Sequence, residues 1–223
     1  MFSKIDKNYD KIEQVKSLAG SIAHETRNPL AGIKGCCELM KDNLNQLIEY
    51  VDLIADSSTQ GLAMIDMIMA NIREGNIDQS NFVDLSISNT VKKAIKQYTY
   101  KNEEEKNLVN LNLEDAFIFK GDENMMIFVI FNLLKNSLYY KSKIEIRTEA
   151  KADGNYLYFK DYGPGIEKDK LALIFKSFFT SGKKDGTGLG LPFCKRIMTA
   201  FDGEIICRSE IKKGAEFEMK FPN

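Results

Sequence analysis

The chain has 223 residues, 43% of them hydrophobic, which is enough for a real core and too apolar for a wholly disordered polymer. Its 31 Lys and Arg against 32 Asp and Glu leave a net charge of −1, so no global field favours nucleic acid or an anionic lipid surface. The four cysteines (Cys36, Cys37, Cys194, Cys207) lack C-x-x-C spacing and there is one histidine, which excludes a zinc signature.

The first 80 or so residues read as helix. Apolar or small residues recur at Val15, Ala19, Ile22, Thr26, Pro29, Ile33, Cys36 and Met40, in alternating steps of three and four, a stripe with a near-heptad period. A second stripe runs through Leu47, Val51, Ile54, Leu62, Ile65, Ile68, Met69 and Ile72. The segment D-N-L-N-Q (42–46) between them reads as a helix–helix turn, and Gly75 and Asn76 as the end of the second helix. Two amphipathic helices cover their apolar faces poorly, so a symmetric dimer forming a four-helix bundle is expected, with an intramolecular hairpin docked on the second domain as the alternative.

After Asn81 the pattern changes. Residues 82–85 read as a short strand, 88–98 as a helix, K-N-E-E-E-K (101–106) as a polar loop, and 122–140 as a strongly apolar helix. Residues 143–148 and 156–160 read as strands, 189–200 as another helix, and 203–208 with 215–221 as a closing hairpin. Helices mixed with mostly antiparallel strands give an α+β chain: a helical hairpin in a dimeric four-helix bundle (1–80), then an α/β sandwich (81–223).

His24 lies in S-I-A-H-E-T-R-N-P-L (21–30). Successive helical residues turn by about 100°, so His24 sits about 200° from core-facing Ile22 and points outward. A neutral imidazole can attack phosphorus and lose a proton from its other nitrogen. Glu25 is placed to accept or orient that proton, and Asn28, one turn on, to position a water or an aspartyl phosphate. Pro29 removes a backbone hydrogen bond and bends the helix. Taken as a bare H-E pair, this would be an ordinary surface histidine.

Three further motifs suit a nucleotide. In F-N-L-L-K-N-S-L-Y-Y (131–140), Asn132 and Asn136 are one turn apart and share a face, where neutral amide oxygens can ligate Mg²⁺ or simply cap and bridge the core. In D-Y-G-P-G-I (161–166), Asp161 can accept from the exocyclic amine of adenine, while Gly163 and Gly165 permit close backbone approach. In G-T-G-L-G-L (186–191), Gly186, Gly188 and Gly190, with Thr187 and Leu189 between them, precede a helix whose N-terminus can cradle phosphates. This run lacks the strand-first context of a Rossmann site and the G-K-[ST] ending of a P-loop. Phe175, Phe178 and Phe179 read as core or as anchors of a short lid, and Lys176, Lys183 and Lys184 are available to a γ-phosphate.

In their order these motifs resemble the H, N, D, F and G boxes of sensor histidine kinases, over roughly Val15 to Phe221. The resemblance implies a dimerisation and phosphotransfer hairpin followed by a Bergerat-type ATP-binding domain. It implies that His24 is autophosphorylated from ATP, that Glu25 aids kinase chemistry, and that Glu25 with Asn28 supports dephosphorylation of a response-regulator receiver domain. It matches Asn136 to a Mg²⁺ ligand, Tyr140 to an aromatic beside the nucleotide, Asp161 to the reader of adenine and Phe178 to the lid anchor. Within the family, L-A-G-S-I-A-H-E and F-N-L-L-K-N-S-L-Y-Y look most like autoinducer-sensing kinases of the CqsS type. Two residues depart from the pattern. Ser137 replaces a usual alanine or glycine, and Tyr139 stands where many members carry a basic residue, which leaves Lys135 or Lys183 to compensate. The rivals are a phosphotransfer scaffold with a degenerate ATPase half, against which Asn136, Asp161 and the three glycines stand, and a Bergerat ATPase of the gyrase, chaperone or mismatch-repair types, which leaves the H-box unexplained.

No apolar run approaches the roughly 18 residues of a membrane helix, and the start, M-F-S-K-I-D-K-N-Y-D, is too charged for a signal peptide. The expectation is a cytoplasmic chain with reduced cysteines, or the cytoplasmic piece of a membrane-bound sensor. Membrane contact would then come only through a sensor region outside this sequence.

Overall fold

The computed structural model describes residues 27, 29–40, 46–48, 50, 51, 53–55, 57, 58, 61, 62, 65, 77–180 and 188–223. These fall into two compact units, one before residue 76 and one over 77–180 and 188–223. His24, Glu25, Asn28, Lys183, Gly186 and Thr187 lie outside the described residues, as do the turn read at 42–45 and the helix end read at Gly75 and Asn76.

In the first unit, residues 29–40 are helical, with Pro29, Ile33, Cys36 and Met40 half-buried and Leu30, Ala31 and Lys34 exposed. That is the phase of the first stripe. Close approach to the second helical segment occurs at two small residues. An ideal Cβ on Gly61 would sit 3.4 Å from the Pro29 ring, and one on Gly32 would sit 3.1 Å from Ser57 Oγ. Leu47, Val51, Leu62 and Ile65 of the second stripe remain exposed in the single chain.

The second unit is a layer of helices on a mixed sheet. Strands β1 (Val83–Ser86) and β3 (Ile118–Gly121) pair antiparallel as a small ribbon. The main sheet has the order β2 (Val109–Asn112), β4 (Ile144–Lys151), β5 (Gly154–Asp161), β7 (Gly214–Phe221), β6 (Glu204–Glu210), antiparallel except for the parallel β2–β4 pair. Five helices accompany it among the described residues of this unit: α1 (Ile87–Gln97), α2 (Glu103–Lys106), α3 (Glu123–Leu138), α4 (Lys168–Leu171) and α5 (Gly190–Ala200).

Local chemistry sets the helix starts. Ser86 caps α1 by accepting from Asn89 N–H, and Asp122 caps α3 by accepting from Met125 N–H at 2.9 Å. The segment 101–106, expected as a loop, closes one helical turn instead. Asn102 Oδ1 accepts from Glu105 N–H at 2.8 Å and Glu105 Oε2 accepts from Lys101 N–H at 2.8 Å. This reciprocal box, with three glutamates in the first turn, favours helix over loop.

Period two in the strands then builds the core. Ile144 and Ile146 of β4, Leu157 and Phe159 of β5 and Phe217 and Met219 of β7 share the face that meets Ile130, Leu133 and Leu134 of α3 and Ile197 of α5. Each fully buried side chain of this size contributes about 1.5–3 kcal/mol. The opposite face is polar, yet Tyr158 there is 4% exposed. The Arg147 guanidinium covers its ring at 3.6 Å from the centroid, and Lys151 Nζ donates to its hydroxyl at 2.9 Å. A run of ring contacts, Phe82–Phe201–Phe119–Phe221–Phe117, at 5.2 to 5.5 Å between centroids, ties the entry of the unit and the small ribbon to the end of α5 and the last strand. Gln79 Nε2 donates to Ala200 O at 2.8 Å beside it.

Candidate nucleotide site

Asp161 is the last residue of β5 and is 9% exposed. A carboxylate so buried must be hydrogen-bonded. Gly163 N–H donates to Oδ1 at 2.9 Å, Ala215 N–H donates to the same oxygen at 3.4 Å, and Ser137 Oγ–H donates to Oδ2 at 3.4 Å. The turn after β5, strand β7 and helix α3 thus converge on one carboxylate. The Cys207 thiol feels it as well: burial first, and the charge of Asp161 second, push that thiol up to about 12.

Helix α3 brings the asparagines to this end of the sheet. Asn136 and Asn132 are both half-buried. Asn132 Nδ2 donates to Phe128 O at 3.0 Å, and its amide lies against the start of α5: an ideal Cβ on Gly190 would overlap Asn132 Oδ1, with Asn132 Cγ at 3.1 Å. Asn132 thus packs α3 onto Gly190 at the start of the helix that follows the glycine run. Tyr140 is 44% exposed, stands edge-on to Tyr139 at 5.0 Å, and has its hydroxyl pushed up by partial burial, with Tyr139 and Asp161 adding to the shift.

The loop 161–166 is held tightly. Gly165 has φ +77°, where glycine alone is unstrained, and a Cβ there would overlap Glu210 O. Gly163 carries Asp161 Oδ1 on its amide, and its Cα faces Ser142 and Tyr140.

The glycine run is described from Gly188. Phe178 N–H donates to Gly188 O at 2.9 Å, so the residue read as a lid anchor meets the phosphate motif directly, and Phe178 itself holds φ +68°. Leu189 is 1% exposed, so its side chain belongs to the core. Helix α5 starts at Gly190 with no side-chain cap bond, the local arrangement that suits an anion.

The structure thus gathers Asn136, Tyr140, Asp161 and Gly163 around one end of the sheet, and Asn132, Phe178, Gly188, Leu189 and Gly190 around the start of α5. Sequence reading missed Ser137 as a partner of Asp161, and missed Ser209, Lys212 and Ala215 altogether. Ser137 carried a signal, since a hydroxyl in an apolar helix needs a partner. The hairpin residues carried none, because their role depends on a register set by long-range pairing.

No helix among the described residues is long and apolar enough to cross a membrane.

Comparison with known proteins places both parts of the chain. Residues 14–75 match the family model of the His Kinase A (phospho-acceptor) domain, and residues 121–223 match that of the Histidine kinase-, DNA gyrase B-, and HSP90-like ATPase. The chain is 31% identical over 236 residues to the CAI-1 autoinducer sensor kinase/phosphatase CqsS of Vibrio cholerae, covering 95% of this chain and 34% of that protein. It is 34% identical over 223 residues to the Autoinducer 1 sensor kinase/phosphatase LuxN of Vibrio campbellii, covering 95% of this chain and 26% of that one. Sporulation kinase C of Bacillus subtilis is 30% identical, covering 98% of this chain and 51% of its own length. The chain therefore spans about a third, a quarter and a half of these relatives. In fold it is similar to full-length ShkA in complex with AMPPNP (TM-score 0.59, 22% identity, 93% of this chain and 45% of that one) and to the catalytic domain of histidine kinase ThkA (TM-score 0.54, 21% identity, 64% of this chain and 95% of that one). With the phospho-acceptor and ATPase models matched in that order along one chain, this protein belongs to the sensor histidine kinases.

Proposed function

We propose that this chain is the catalytic core of a two-component signalling kinase, divided into a phosphotransfer hairpin over 1–80 and an ATP-binding domain over 81–223. The observation that carries the reading is the Asp161 carboxylate, held from three elements at the end of the sheet beside the helix of Asn136. A carboxylate fixed in that way accepts from the 6-amino group of adenine without reorganising. Tyr140 flanks the base, and Gly163 and Gly165 let the backbone approach it. Gly186, Thr187, Gly188, Leu189 and Gly190 present amides to the phosphates, Lys183 reaches the γ-phosphate, and Phe178 fixes the base of that segment. Asn132, packed on Gly190 at the start of α5, borders the same nucleotide site.

Mg²⁺ fits the donor set. Half-buried Asn136 carries a neutral amide oxygen, which suits a cation that takes most of its ligands from phosphate and water. When bound it neutralises charge on the triphosphate.

In the reaction, a ring nitrogen of His24 forms a bond to the γ-phosphorus while the bond from that phosphorus to the β–γ bridging oxygen breaks, and ADP leaves. The proton from the other ring nitrogen passes to Glu25 or solvent. A receiver-domain aspartate then takes the phosphoryl group, and Glu25 with Asn28 supports its later hydrolysis. The exposed stripe Leu47, Val51, Leu62 and Ile65 supports a homodimer joined through the hairpins. The longer sensor kinase relatives support a place as the cytoplasmic part of a larger sensor.

His24→Gln tests the core of this reading. Acid-labile label from γ-labelled ATP should be lost entirely; label retained in the variant overturns it.

A further inference from the structure

The β6–β7 hairpin grips the loop 161–166 at three points. At the far end, Ser209 Oγ accepts from Ile166 N–H at 2.8 Å and donates to Gly214 O at 2.6 Å. In the middle, Lys212 N–H donates to Pro164 O at 2.8 Å. At the near end, Ala215 N–H donates to Asp161 Oδ1 at 3.4 Å. Backbones meet closely at both ends. Gly214 has φ +88°, and a Cβ there would overlap Asp161 O, as one on Gly165 would overlap Glu210 O. Ser209 pairs with Ala215 across the hairpin, so one hydroxyl sits level with the amide that holds the carboxylate.

We propose that Ser209 is a positioning residue for base recognition. It locks the loop and the hairpin into one frame, so that Asp161 presents its carboxylate to the 6-amino group of adenine in a fixed place. A hydroxyl suits this post because it accepts and donates at once. Alanine would leave Ile166 N–H and Gly214 O without it, and binding would then have to order the loop. Ser209 touches no nucleotide group in this role; it acts through Asp161. The inference rests on the proposed reading of Asp161.

The test is equilibrium binding to the full chain of Mg-ATP and of Mg-purine riboside triphosphate, which lacks the 6-amino group. Ser209→Ala should weaken ATP about 5- to 20-fold, the value of a lost hydrogen bond to a preordered site, and purine riboside triphosphate by less than about twofold. Ser209→Thr, which keeps the hydroxyl, should bind both as the parent does. On an Asp161→Asn background, Ser209→Ala should cost nothing further for ATP. If Ser209→Ala does not fold, Ser209→Cys, of similar size and a feeble donor, is read in its place with the same expectations. Unchanged ATP affinity, or an equal loss for both nucleotides, overturns the positioning role alone. If Asp161→Asn itself fails to narrow the gap between the two nucleotides, the adenine reading of Asp161 falls, and this role with it.

Discussion

The hydroxyl of Ser137, a residue 2% exposed, donates to Asp161 Oδ2 across 3.4 Å. The helix that carries Asn132 and Asn136 is thereby tied to the carboxylate at the end of β5, and the two halves of the nucleotide site share a bond. The bond is long, so its removal should be mild. Ser137→Ala is expected to weaken Mg-ATP binding about threefold by calorimetry, the value of a weak hydrogen bond. Ser137→Val, which pushes a methyl toward the carboxylate, should cost about tenfold and lower the melting temperature.

Gly190 should tolerate no side chain while Asn132 keeps its place. Gly190→Ala drives a methyl onto the Asn132 amide, and overpacking of this kind costs roughly 1–3 kcal/mol. Adding Asn132→Ala should restore most of the melting temperature, since the overlapping atoms are gone, but not the ATP affinity. Thermal melts with and without Mg-ATP separate the two effects.

The thiols should divide sharply in reactivity and in their effect on alkaline stability. Burial pushes Cys194 up, and burial with Asp161 pushes Cys207 from an ordinary 9.0 up to about 12, while Cys37 is exposed. Iodoacetamide at pH 8 should therefore modify Cys37 in the native protein and spare Cys194 and Cys207 until denaturant is added, as peptide mass spectrometry would show. The linkage sign follows. Cys207 is protonated more readily folded than unfolded, so its stabilising contribution is complete below pH 9 and is lost as pH rises toward about 12. Melting curves between pH 9 and 12 should fall less steeply for Cys207→Val than for the parent.

Asn28 should separate the two activities. Asn28→Ala is expected to autophosphorylate at His24 at a rate within about twofold of the parent, yet to lose at least tenfold in dephosphorylation of a phosphorylated receiver domain. Single-turnover assays with labelled regulator read both steps. Normal dephosphorylation by the variant would remove Asn28 from that role.

Local signals carried most of the fold. The apolar run 122–140 marked α3 to within two residues, and the strand-like runs 143–148, 156–160 and 215–221 marked β4, β5 and β7. What stayed hidden was non-local. Strand β2 is V-N-L-N, four residues with little apolar content, and it exists because it pairs parallel with β4. Strand β3 exists because Phe119 meets Leu85 across the small ribbon. Neither pairing leaves a mark within a short window of sequence. The short helix at 103–106 was missed for the opposite reason: its polarity read as loop, while its capping box is local and was there to be found.

The candidate site divides in the same way. Asp161 and its glycines stand together in six residues, so they could be read as a unit. The packing of Asn132 on Gly190 could not, because it joins two helices distant in sequence. Leu189 shows the same limit, with its side chain in the core although it lies inside a phosphate motif.

The fit of Gly214 against the Asp161 carbonyl has a genetic consequence. Every missense change at that codon adds a side chain where backbone already stands. A deep mutational scan selecting for signalling should therefore score Gly214 as intolerant as Asp161 itself. Read without the fold, such a map would show a second hotspot more than fifty positions away; read with it, both are one constraint recorded twice.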